Sequence, residues 1–328
     1  MEYIVALLPA LVFLLVLVYL DSFKLVKNDT IPYCVLWGVT CAVISIFLND
    51  FLRTALEMRE EVLLMVVSPF VEETLKSFLL IFFLIRSKIV FRIDGAIYGF
   101  AIGTGFALFE NIYLISVLNF DDIWIWVTRG FGTAIMHGGT TSILAILLIQ
   151  AKEKHLNLLK YFMIGLVVAV IIHSLYNYFL VSPVVSMVLI IVMFSVVEII
   201  TLQVNERMLR DWLELEFASE VKLLGMIKKG EFLKTKSGEY LVSIRDNFSK
   251  LVVIDMLSYI SLYLELSIKA KSNLMLNEVG MPGLKDKDIH FKLSELKSLE
   301  KNIGRTGLIA ISPILRISKK NLIKWSLL

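Results

Sequence analysis

Charged side chains are scarce in this 328-residue sequence: Asp, Glu, Lys and Arg make up 19% of it, hydrophobic residues 57%, and the mean hydropathy is +0.77. That shortage excludes an ordinary soluble globular protein and points to a polytopic membrane protein. Cysteine is nearly absent. Cys34 and Cys41 stand seven apart in one apolar run, which on a helix separates them by about 10 Å of rise, too far for a disulfide. The lack of a Cys-x-x-Cys spacing also removes the usual thiolate metal motif. No His-Glu-x-x-His occurs, so local spacing gives no zinc signature. No repeat or low-complexity tract is present, and the net charge of +3 is informative only by position.

Long apolar runs are what the sequence does have. Seven segments reach the ~17–25 residues needed to cross ~30 Å of hydrocarbon: Ile4–Leu20, Ile31–Leu48, Val62–Ile85, Gly95–Leu118, Ile123–Ile149, Leu158–Leu180 and Pro183–Gln203. The first lacks a basic leading region and a small-residue cleavage site, so it reads as a spanning helix and not as a signal peptide. The expected fold is therefore all-α: about seven transmembrane helices over residues 1–204, then a mainly helical cytosolic domain over 205–328.

Orientation follows from where short loops carry Lys and Arg, which accumulate on the cytoplasmic side. Lys24 and Lys27 occupy the first loop, Arg86, Lys88 and Arg92 the third, and Lys152, Lys154 and Lys160 the fifth. The fourth loop has Asp121 and Asp122 instead, and the sixth, around Ser182, has no charge. Arg53 and Arg59 in the second loop run against the pattern, but three glutamates accompany them. The alternation places the N-terminus outside and the tail, beginning with Arg207 and Arg210, in the cytosol.

Against this apolar background, four spans carry groups that lipid does not tolerate: Glu72, Glu73 and Lys76; Glu110 and Asn111; His137; His173 and Asn177. A charge at the bilayer centre costs at least ~2.5–3.5 kcal/mol, so such groups usually line a polar cavity and act there. Counted at ~1.5 Å per residue from the outer end of each span, Glu72 lies about 15 Å deep, Glu110 about 12 Å, His137 about 20 Å and His173 about 10 Å. The four helices thus bring them to one layer in the outer half of the membrane.

Spacing gives these residues their chemistry. Lys76 is one turn from both Glu72 and Glu73, close enough for an ion pair, while adjacent glutamates diverge by about 100°. One carboxylate is then neutralised and the other faces a cavity as a candidate general base. Gly95, Gly99, Gly103, Ala107 and Asn111 form a small-residue stripe that permits close helix approach, with Glu110 beside it. Gly130, Ala134 and Gly138 repeat the device around His137, and His173 shares a face with Asn177. Singly, each has a structural explanation: a hydrogen-bonded core histidine, a Glu–Lys pair, an amide bridging two helices. Jointly they suit two mechanisms. A carboxylate can activate water while imidazole and Asn stabilise the oxyanion, or His137, His173 and Glu110 or Glu72 can hold zinc with another glutamate as base.

Four motifs in order, Glu-Glu-x-x-Lys at 72–76, Gly-Phe-Ala-x-x-Glu-Asn at 105–111, a membrane-embedded His137 and His-x-x-Tyr-Asn at 173–177, resemble the PrsW family of intramembrane proteases. That family is distantly similar to the CAAX prenyl endopeptidase and bacteriocin-processing group. The resemblance covers about residues 60–205. It implies Glu72 and Glu73 as the essential pair, Glu72 activating water and Glu73 acting with Lys76, and Glu110, His137, His173 and Asn177 completing the site, with Lys76 and Asn111 in support. It implies a membrane-spanning or membrane-bound protein as substrate, as in anti-sigma-factor cleavage, and leaves glutamic-type and zinc-dependent catalysis both open.

The tail from about Asn205 has amphipathic stretches at 207–229, 247–271 and 287–301, broken at Lys236-Ser237-Gly238 and Pro282-Gly283, and six more Lys and Arg than Asp and Glu. Such a domain beside a bilayer suits anionic lipid; no recognised motif supports nucleic-acid binding. The competing reading of the membrane cluster is a proton- or ion-coupled transporter, since intramembrane Glu and His also form proton relays. Paired Gly/Pro-interrupted spans of the kind transporters use are lacking. A non-catalytic membrane scaffold is the third reading.

Overall fold

The computed structural model describes residues 1–118, 122–178, 180–284 and 287–315. Asp121, used above for topology, and the last stretch of the expected tail domain, 316–328, lie outside the described residues. Among those described the chain is helical without strands. Contacts divide it into two compact units, one of Met1–Asp21 with Leu25–Asn205, the other of Ser22–Lys24 with the chain from Glu206 onward.

The first unit contains α1 (Glu2–Leu20), α2 (Ile31–Ala55), α3 (Ser68–Ile85), α4 (Arg92–Val117), α5 (Ala134–Glu153), α6 (Leu158–Asn177) and the first half of α7 (Pro183–Lys228). Among the described residues seven helices are long and apolar enough to cross a membrane, but they are not quite the seven expected. Six coincide with expected spans; the seventh is Lys250–Glu278, in the second unit. The segment 62–85 is helical as expected, yet Glu72, Glu73 and Lys76 make it too charged to qualify by composition alone.

Helix α4 is the centre of this unit. It is buried along most of its length, because its small residues let neighbours approach to backbone contact. A Cβ added at Gly103 would lie 2.1 Å from the His137 carbonyl oxygen of α5, and one at Gly99 2.8 Å from the Thr141 oxygen. On another face, Gly38 of α2 sits against the Ile102 carbonyl and Gly105 of α4 against the Val35 carbonyl. This is the close approach expected of small residues in membrane helices. We expect Gly103→Ala to lower stability by about 1–3 kcal/mol through overpacking. It should also impair function, because His137 must move. Gly225→Ala, with nothing within 4 Å of the added atom, should not destabilise; thermal unfolding in detergent checks both.

One end of α4 is pinned by capping. Asp94 Oδ2 accepts from the backbone N–H of Val90 and Phe91, both at 3.1 Å, satisfying donors that a helix start leaves open. Arg92 pairs with Glu153 at 2.9 Å, and Lys152 donates to the Leu84 carbonyl at 2.6 Å.

The second unit comprises the rest of α7, α8 (Lys236–Ile244), α9 (Lys250–Glu278) and α10 (Ile289–Leu315). Its apolar core includes Leu224, Phe232, Met256, Ile260, Leu264 and Ile303. Lys271 is buried and neutralised by Glu216 and Glu220, each at 2.9 Å.

Candidate functional site

The catalytic-looking segment begins with an irregular turn. Residues Leu63–Val67 form a π-turn directly before α3, a local widening often found at functional sites. The cause is in the sequence: Pro69 has no N–H to offer the preceding turn. The Leu64 carbonyl instead accepts the Asn177 Nδ2 amide of α6 at 3.2 Å. Asn177 is therefore tied to the backbone leading into Glu72, and among the described residues its side chain makes no hydrogen bond to the other candidate groups.

Beyond that turn, α3 delivers Glu73 and Lys76 into the interior, both side chains fully buried and 2.6 Å apart. Glu73 Oε1 also accepts from Thr140 Oγ1 at 3.2 Å and from His173 Nδ1 at 2.9 Å. Lys76 Nζ contacts His137 Nδ1 at 3.2 Å and lies 5.0 Å above the Phe106 ring. His137 Nε2 in turn meets Glu110 Oε2 at 3.1 Å, and Glu110 Oε1 pairs with Arg129 at 3.0 Å. Arg129 Nε donates to Asn111 Oδ1 at 2.9 Å, and Asn111 Nδ2 to the Ala6 carbonyl at 2.9 Å.

The partners fix the histidine tautomers. An ammonium can only donate, so His137 Nδ1 accepts from Lys76 and its Nε2–H donates to Glu110. His173 donates Nδ1–H to the Glu73 carboxylate, and in the neutral imidazole this leaves the Nε2 lone pair directed towards Glu72 Oε2, 3.8 Å away. The two imidazoles stand edge to face with centroids 4.7 Å apart.

Charge accounting singles out Glu72. Lys76 is committed to Glu73 and Arg129 to Glu110; of the three carboxylates, only Glu72 has neither as an ion-pair partner. It hydrogen-bonds the neutral Asn49 amide and lies 3.8 Å from His173 Nε2. The side chain is 14% exposed and borders a cavity of about 140 Å³ between α2, α3 and α4, lined also by Asn49, Phe106, Glu110, Tyr113 and Leu114.

Glu72, Glu73, Lys76, Glu110, His137 and His173 thus form one connected cluster, Asn111 joins it through Arg129, and Asn177 stands apart. Arg129, Thr140 and Asn49 belong to the same surroundings and were missed in the sequence. Arg129 had the same signal as the others, a charge inside the apolar run 123–149. Thr140 and Asn49 had none.

Donor atoms of Glu72, His137 and His173 lie within 4.8 Å of one another, a set that a divalent ion can use. His173 suits the role as it stands, with its other nitrogen held by a carboxylate. His137 supplies a lone pair to an ion only by giving up Lys76 or Glu110.

A family model described as PrsW family intramembrane metalloprotease matches residues 29–201. No curated protein and no solved structure matches the chain.

Proposed function

We propose, for a chain that belongs to the PrsW family of intramembrane metalloproteases, that Glu72 is the general base that activates water for peptide-bond hydrolysis. The observation that carries this reading is that Glu72 borders the cavity and, alone among the three clustered carboxylates, has neither Lys76 nor Arg129 as its ion-pair partner.

The separation of 3.8 Å between Glu72 Oε2 and His173 Nε2 suits one water hydrogen-bonded to both. Glu72 takes one proton while His173 Nε2 accepts the other hydrogen bond and orients the attacking lone pair. The water oxygen bonds to the substrate carbonyl carbon, and the carbonyl π electrons move onto its oxygen. Asn49 and Tyr113, on the same cavity wall, supply neutral donors for that oxyanion. Collapse restores the carbonyl and breaks the C–N bond, the proton held by Glu72 passing to the departing nitrogen. Glu73, through His173, and Arg129, through Glu110 and His137, hold the imidazoles in their tautomers without touching the substrate.

A metal-dependent version is the second reading, favoured by the proximity of the three donors. Glu72, His137 and His173 would hold the ion, which when bound would polarise the scissile carbonyl as a Lewis acid. Full-length protein reconstituted in liposomes, given a membrane-spanning peptide with and without a membrane-permeant chelator, separates the two. We expect cleavage to persist within about twofold once metal analysis shows the protein metal-free; total loss, restored by zinc, assigns the metal version. The expected topology accompanies this reading, with the active layer in the outer half of the membrane and the tail in the cytosol.

A further inference from the structure

A second cavity, of about 230 Å³, adjoins the first. Leu114 lines both, and the Glu110–Arg129 ion pair divides them, Glu110 bordering the first and Arg129 the second. Apart from Arg129, its walls are mainly apolar or aromatic, with Leu114, Ile125, Trp126, Tyr176 and Pro183 prominent. The walls are held in place. Trp126 is 1% exposed. The Tyr176 hydroxyl accepts from Thr133 at 3.5 Å and donates to the Thr128 carbonyl at 3.4 Å. One side is the π-turn Arg129–Thr133, so the same irregularity that aims Arg129 at Glu110 also shapes this space. The hydrolytic step makes no use of it.

We propose that this cavity is a subsite for a bulky apolar side chain of the substrate, within a few residues of the bond cut at Glu72. The inference rests on the reading of the first cavity as a peptidase site. An extended chain advances about 3.3 Å per residue, so a backbone passing Leu114 with its scissile carbonyl at Glu72 brings a nearby side chain over the second cavity. A largely apolar, partly open space of this kind favours an apolar occupant. The fixed aromatic walls set its size: Leu or Phe fills it, and Ala leaves it void. The occupant is a segment of a membrane-associated protein with a large aliphatic or aromatic residue beside a cleavable stretch.

Two measurements on full-length protein in liposomes test this, with synthetic peptides in which a Leu/Ala spanning helix is followed by an Ala/Ser stretch. In the first, benzoylphenylalanine is scanned through that stretch and photocrosslinked to the Glu72→Gln protein. Crosslinks at one position should map to the cavity walls, at residues 114–118, 125–133, 176 or 183. Crosslinks confined elsewhere overturn the proposal, and so does crosslinking abolished by added lysophospholipid while cleavage by the wild type is unaffected, which assigns the cavity to lipid. In the second, Phe replaces benzoylphenylalanine at that position and kcat/KM is compared with the Ala peptide. Wild type should prefer Phe by about tenfold or more, in the range that hydrophobic pockets achieve. Ile125→Trp, which narrows the cavity, should remove most of that preference, and Ile125→Ala should extend it to larger side chains. An unchanged ratio in both variants contradicts the subsite. Crosslinking needs no cleavage, so the two ideas fail separately. Mapped crosslinks with no hydrolysis by wild type sink the peptidase reading alone, and hydrolysis with crosslinks elsewhere sinks the subsite alone.

Discussion

A Glu72→Gln protein is expected to fold as the wild type does and to cleave a membrane-spanning peptide about 10²–10⁴-fold more slowly, the range that general-base catalysis contributes. The change is nearly isosteric and keeps an acceptor for Asn49, but glutamine cannot take a proton from water. Stability should barely move, because the Lys76 and Arg129 ion pairs are made with Glu73 and Glu110 and not with Glu72, whose carboxylate lies 3.8 Å from His173. A kcat reduction without a change in thermal unfolding separates the role of Glu72 from a structural one. A variant retaining more than a third of wild-type activity would remove Glu72 from the mechanism.

Lys76→Met should act in the opposite way, on the fold first. Glu73 and Lys76 are both fully buried and paired at 2.6 Å. Removing one partner of such a pair leaves an uncompensated buried charge, at a cost of about 3–5 kcal/mol. Replacing both with apolar or neutral groups of similar volume is often close to neutral, so Glu73→Gln combined with Lys76→Met should recover much of the loss. The double variant should still be a poor enzyme, because His173 loses the carboxylate that fixes its tautomer and His137 loses the ammonium on Nδ1. Thermal unfolding of the two single variants and the double variant in one detergent measures the coupling; additive losses would show that the pair does not act as a unit.

The helical spans and the polar residues inside them were legible because lipid makes both conspicuous: an apolar run must be long, and a charge within it must have a reason. The small-residue stripe on α4 was equally readable, and its Gly99 and Gly103 do meet the backbone of α5, whereas the approach of α2 is made at Gly105, outside the stripe. Partner choice was not readable. Glu73 meets His173 across 100 positions and Lys76 meets His137 across 61, and nothing in the spacing decides which carboxylate takes which cation. Arg129 shows a clear signal left unused. Glu198 shows the limit of the signal itself: it sits in the apolar run 183–203 like the others, but is buried against Ser142 at 2.5 Å and not against the cluster. The π-turns escaped as well, since Pro69 announces a missing donor but not that Asn177 supplies the replacement. In the second unit, Lys250–Glu278 is apolar enough to qualify as a span although amphipathic spacing marked 247–271 as part of the tail. Its Met256, Ile260 and Leu264 enter that unit's core.

The most direct test of the central assignment is hydrolysis of a membrane-spanning peptide in water enriched in oxygen-18, followed by mass spectrometry of both fragments. Water activated by Glu72 predicts one heavy oxygen in the new C-terminal carboxylate with the wild-type protein and no product above background with Glu72→Gln. Equal labelled product from both proteins would contradict it.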